Sequence, residues 1–178
     1  SQAEHGVDSQ VVLVSPSEDF AKKVVAEISL QLKSLSRKDI AAKALKNSCA
    51  VILEDTNKAI ALINAYAPEH LILALANEEA ILDKIYNAGS VFIGNFSPEA
   101  AGDYASGTNH TLPTAGYARN YSGVSLDSFV KKITYQKITP KGLQALGPAV
   151  EIMAANEQLD AHKNAVTLRL NYLKTNKK

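Results

Sequence analysis

Four histidines, His5, His70, His110 and His162, mark where imidazole chemistry is available in this chain, and each stands near other polar functional groups. Gln2 and His5 are three apart in Gln2-Ala3-Glu4-His5. In a turn or helix their side chains face one way and can share a metal; a surface histidine near a chain start is the plainer alternative. Pro68-Glu69-His70-Leu71 sets a carboxylate beside an imidazole. A free imidazole titrates at about 6.5, which suits acid and base work, and an adjacent carboxylate can tune it or activate water. Neighbours in an extended segment point to opposite sides, so two roles at one site require a turn here; an exposed Glu-His pair is the alternative. Asp103 lies between Gly102 and Gly107, ahead of His110. Glycines permit unusual backbone angles and the carboxylate can ligate a metal, unless Asp and Asn here merely build a turn. Glu157 and His162 are five apart. That is about 140° round a continuous helix, so they do not share a face, and a solvated helix surface is the alternative.

The elements that must position these groups alternate. Gln10 to Val14 is a β-branched strand run, and Ser15-Pro16-Ser17-Glu18 reads as a capping box with Pro at the first helical position. Phe20, Val24, Ile28, Leu32 and Leu35 form one apolar helical stripe, with a shorter helical pattern from Lys38 to Lys46. Strands follow at Ala50 to Leu53, His70 to Leu75 and Ser90 to Gly94. Asp55 caps a helix ended by Pro68, and Asn77 caps another ended by Gly89. Strands alternating with amphipathic helices predict an α/β fold, a Rossmann-like mainly parallel sheet covered on both faces. After Phe96, glycines and Pro113 punctuate a long stretch with little periodicity, read as a functional loop. A helix over Ser125 to Ile133, a strand over Thr134 to Ile138 and helix from Pro140 to about Leu173 complete the pattern, ending in a basic terminus of Lys174, Lys177 and Lys178. The division expected is residues 1–124 as an α/β portion and 125–178 as a mainly helical arm.

Composition narrows the partners. The 178 residues are 46% hydrophobic and 21% charged, with a formal charge of +1. Such a chain is long enough for one sizeable core, or for one domain plus a small appendage, and presents no strong field toward nucleic acid or an anionic membrane. A small molecule or another protein is the expected partner. No apolar run approaches the roughly 18 residues that cross a bilayer, and the N-terminus lacks signal-peptide character, so a cytoplasmic location is expected. A chain that does not open on Met reads as lacking its true start. Cys49, the single cysteine, opens an apolar run and is expected to be a buried structural thiol.

Four segments together resemble histidinol dehydrogenase, in order and spacing: Ser1 to Gly6, Ala67 to Leu71, Ala101 to Thr114, and Ala161 to Thr167. The likeness runs through essentially the whole chain and covers less than half of a complete enzyme. It implies a zinc site made by Gln2, His5, Asp103 and His162, with the metal anchoring substrate through its imidazole and amine. It implies oxidation of L-histidinol to L-histidine, the last step of histidine biosynthesis, in two hydride transfers to NAD. His70 is then the base and Glu69 the activator of water. Substrate contacts fall to Gln2, His5, His70, Asp103, Glu157 and His162, with His110 in the matched loop as a further candidate. In the family the segment carrying the Glu157 and His162 equivalents crosses to the other subunit of a homodimer. Most NAD contacts belong to an upstream portion, so no cofactor-binding residue is assigned, and the isolated chain is expected not to turn over. In fungi such a chain is commonly the last module of a larger histidine-biosynthesis polypeptide. The competing readings are a related zinc-dependent dehydrogenase of another small polar alcohol, and a non-catalytic metal-binding or assembly module.

Overall fold

A computed structural model describes residues 1–176; the expected basic end at Lys177 and Lys178 lies outside the described residues. The chain divides into two compact units, Ser1–Val130 and Lys131–Lys178.

The first unit is α/β. Its strands are β1 (Val12–Ser15), β2 (Cys49–Ile52), β3 (His70–Leu73) and β4 (Ser90–Ile93). β1 pairs with β2 and β3 with β4, both parallel, as two sheets of two strands. Parallel neighbours need a crossover, and helices supply it. α1 (Glu18–Gln31) and α2 (Lys38–Ala44) connect β1 to β2, α3 (Thr56–Tyr66) leads to β3, and α4 (Glu79–Leu82) precedes β4. α5 (Glu99–Tyr104) follows. Ile60, Leu71, Leu73 and Ile81 form the buried core between α3, α4 and β3, with Ile63, Leu82, Ile85 and Ala88 packed on it. Each such large side chain withdrawn from water contributes about 1.5–3 kcal/mol. Ala3, Ala41 and Ala44 make a second cluster, which pins the 3₁₀ turn Gln2–Glu4 on α2.

Local chemistry explains most boundaries. Asp55 caps α3 as expected, its carboxylate accepting from Asn57 N at 2.8 Å and Lys58 N at 3.3 Å. The cap of α1 is Ser17 rather than Ser15: Ser17 Oγ accepts from Phe20 N at 3.2 Å. Ser15 is buried at the end of β1, where its hydroxyl takes the Ser17 N–H at 3.1 Å, so Pro16 precedes the helix. α4 is only four residues long and is not capped by Asn77. The chain beyond it is drawn to Asn64, which donates to Lys84 O at 2.8 Å and accepts from Tyr86 N and Asn87 N at 3.0 and 3.2 Å.

Other expectations are overturned. Cys49 is exposed, not buried. Of the four β2 residues only Val51 is even partly covered, so the apolar run has no cover over Cys49 among the described residues. Tyr66 titrates above its ordinary range, chiefly through burial and then through the neighbouring Cys49 thiol. Ser125 to Ile133 forms only the 3₁₀ turn Leu126–Phe129, and Thr134 to Ile138 is not a strand, because it joins no ladder that could satisfy its backbone groups.

The second unit is a helical hairpin of α6 (Pro140–Asn156) and α7 (Asp160–Thr175). Thr139 caps α6 through Gly142 N at 3.1 Å, with Pro140 at its first position. The expected single helical stretch breaks at 157–159, where Gln158 takes φ 59°. The helices approach closely at Gly147, where a Cβ would fall 2.8 Å from Leu170 Cδ1. Among the described residues no helix is long and apolar enough to cross a membrane.

Candidate metal and catalytic site

The site of the first unit starts at the end of α3. Ala67 turns left-handed, φ 54°, and donates to Ile63 O at 2.8 Å; Pro68 cannot continue the helix. The chain then bends at Glu69 and enters β3 at His70. Pro68 O and Glu69 O accept from Gly89 N and Ser90 N, each at 2.9 Å. Position 89 must be glycine for this approach, since a Cβ there would lie 2.5 Å from Glu69 O.

α5 supplies the carboxylates. Glu99 and Asp103 are four apart and share a helix face. Gly102 lets the helix lie against Phe92, whose ring is 6.0 Å from the His70 imidazole, centroid to centroid. In consequence His70, Glu99 and Asp103 bring one ligand atom each within 4.8 Å of one another. Glu99 Oε1 is 4.0 Å from His70 Nε2, and Glu99 Oε2 accepts from Ser1 Oγ at 2.7 Å. That bond brings the segment carrying Gln2 to the same helix.

Gln2 Oε1 and His70 Nε2 are buried without a hydrogen-bond partner. Leaving such an atom unpaired costs about 1–3 kcal/mol, and binding sites are where that cost recurs. The Gln2 amide oxygen and the Asp103 carboxylate beside this imidazole are oxygen donors of the kind zinc accepts, so these residues fit that metal.

The candidate residues divide accordingly. His70 and Asp103 converge. His5 is the C-cap of the Gln2–Glu4 turn with α-region backbone angles, but it is exposed and outside the converging group. Glu69 is half-buried and His110 exposed. Glu157 and His162 belong to the second unit, Glu157 opening the 157–159 turn and His162 following it in α7, both exposed; the angle expected of one continuous helix does not apply to them. Glu99 is the functional candidate that sequence reasoning passed over. Its signal was the four-residue spacing from Asp103, visible only once 99–104 is known to be helical.

The fold and this cluster define an α/β protein with an imidazole-carboxylate centre suited to a metal. The family model of histidinol dehydrogenase matches residues 1–170. The chain is 60% identical over 174 residues to histidinol dehydrogenase of Bacteroides thetaiotaomicron, covering 98% of this chain and 41% of that protein. It is 53% identical over 174 residues to the Campylobacter jejuni histidinol dehydrogenase, covering 98% and 41%. The crystal structure of histidinol dehydrogenase from Elizabethkingia anophelis matches with a TM-score of 0.90 at 59% identity, over 97% of this chain and 40% of that one. The chain belongs to the histidinol dehydrogenase family. It spans about 41% of the length of the first of these relatives.

Proposed function

We propose that the chain carries the acid-base and much of the metal-binding machinery of a zinc-dependent dehydrogenase that oxidises L-histidinol to L-histidine, passing two hydrides in turn to NAD. The observation that carries this reading is the convergence of His70, Glu99 and Asp103 within 4.8 Å in a chain of this family. Gln2, His5, Asp103 and His162 are the proposed ligands. Zinc, when bound, supplies a template that holds the substrate imidazole and amine.

The remaining chemistry belongs to side chains. A carbinol carbon releases hydride only as its hydroxyl proton leaves, because the oxygen electron pair must form the new carbonyl bond. His70 takes that proton. Its side chain is 13% exposed, so bulk water competes little for the imidazole. Glu69 takes a proton from water, whose oxygen adds to the aldehyde carbon while protonated His70 returns its proton to the carbonyl oxygen; His70, neutral again, accepts the hydroxyl proton of the hydrate in the second oxidation. Glu157 is a proposed substrate contact. No residue of this chain is assigned to NAD.

The second unit is the proposed arm that crosses within a homodimer and completes the partner's site with Glu157 and His162. Ile152, Met153, Leu168 and Tyr172 support this, since folding of the hairpin leaves all four exposed. A cytoplasmic setting suits such a biosynthetic enzyme. A full-length protein carrying this sequence should reduce NAD with L-histidinol when zinc-loaded and stop after chelation. Turnover of other alcohols in its place would assign a different substrate, and zinc binding without turnover would leave a non-catalytic module. The 178-residue chain alone is expected to be inactive.

A further inference from the structure

Glu99 is 7% exposed. A buried carboxylate is costly unless donors compensate it. The donor in contact, among the described residues, is the Ser1 hydroxyl, at 2.7 Å from Oε2, an ordinary O–H···O length. Oε1 faces His70 Nε2 at 4.0 Å, beyond hydrogen-bond range. Ser1 directly precedes Gln2, and on Gln2's other side Ala3 is buried against Ala41 and Ala44 of α2. Gln2 is therefore anchored twice, by a hydroxyl on Glu99 and by a methyl packed on α2. Glu99 also shares its helix face with Asp103, four residues on.

We propose that Glu99 is a positioning residue, whose carboxylate ties the Ser1–Gln2 segment to α5 and so holds the Gln2 amide oxygen and the Asp103 carboxylate in one frame around the metal. This rests on Gln2 and Asp103 being zinc ligands, as proposed above. Groups that orient metal ligands typically change affinity about 10- to 100-fold when removed. The bond to Ser1 needs an acceptor oxygen rather than a charge, which separates positioning from direct ligation: an amide at position 99 keeps that acceptor, whereas a methyl does not.

The test is zinc affinity, measured by competition with a chromogenic chelator on full-length protein carrying this sequence, alongside the thermal midpoint of the metal-free form. Glu99→Ala should weaken zinc by about 10- to 100-fold. Glu99→Gln should stay close to the parent. Ser1→Ala should weaken zinc in the same direction and add little in the Glu99→Ala background, because both remove one bond. Should Glu99→Ala bind zinc like the parent, or Glu99→Gln lose as much as Glu99→Ala, or the Ser1 and Glu99 effects simply add, the positioning role is overturned. Where Glu99→Ala fails to fold, the Glu99→Gln and Ser1→Ala results decide. A parent protein that binds zinc but leaves histidinol unoxidised removes the proposed reaction and leaves the positioning role standing; a parent that binds no zinc removes both.

Discussion

Gly102 lies flat against Phe92: a Cβ at position 102 would fall 2.7 Å from Phe92 Cε1 and 2.8 Å from Thr108 Oγ1. Phe92 in turn neighbours the His70 ring. The contact sets how near α5 comes to β4 and, through Phe92, bears on the distance from the Glu99 and Asp103 carboxylates to the imidazole. Gly102→Ala should therefore push α5 away or tilt Phe92, costing about 1–3 kcal/mol of stability as overpacking does. Denaturant unfolding measures the loss, and a zinc titration should show weaker binding. Parental values in both would mean that the neighbouring rings and loop give way freely.

His5 and His162 are exposed in their respective units, and their proposed role is to hold zinc. Few protein groups hold the metal, so His5→Ala or His162→Ala in the full-length protein should lower zinc content and abolish productive histidinol binding. Metal analysis after dialysis checks this. Full occupancy in both variants would refute the ligand assignment. For His5, which stands outside the converging group of His70, Glu99 and Asp103, the measurement is the more demanding one.

The proposed crossing arm predicts complementation. Full-length His70→Ala and His162→Ala proteins, each inactive, should regain activity when mixed, because one of the two sites in a heterodimer combines an intact His70 with an intact His162. Subunit exchange must be shown independently, for instance by mass-tagged subunits. Exchange without recovered turnover would count against a site shared between subunits.

What could be read from the chain and what could not follows from the range of the interactions. β1 to β4 and the Asp55 cap depend on neighbouring residues, so alternation and turn chemistry revealed them. The cap of α1 was misplaced by two residues because Ser15 and Ser17 offer the same chemistry, and burial of Ser15 at the end of β1 decides between them. α5 escaped notice because six residues that include Gly102 carry too little periodicity to register as a helix. Glu99 escaped with it, since its partner Ser1 is 98 positions away. Cys49 was misjudged because an apolar run shows that a strand can be covered without showing what covers it. His70 and Asp103 stood out through the family resemblance, and their convergence required the pairing of β3 with β4 and the packing of α5 on Phe92.

The adjacent residues Glu69 and His70 should fail differently, because the two halves of the proposed oxidation ask different things of them. The bend at Glu69 separates them, placing His70 on β3 and leaving Glu69 before it. Glu69→Gln removes the group proposed to activate water and leaves His70 able to take the alcohol proton. His70→Asn removes the base that each hydride loss needs. Glu69→Gln in the full-length enzyme is therefore expected to impair conversion of histidinaldehyde more than oxidation of histidinol, and His70→Asn to impair both. Loss of a general base costs about 100- to 10,000-fold, well beyond the effect of a small packing change. Pre-steady-state NADH formation from histidinol and from histidinaldehyde reads the two steps separately, with metal analysis to verify that zinc is retained. Equal losses in both steps for Glu69→Gln would sink the division of labour, leaving His70 to serve the water as well as the alcohol.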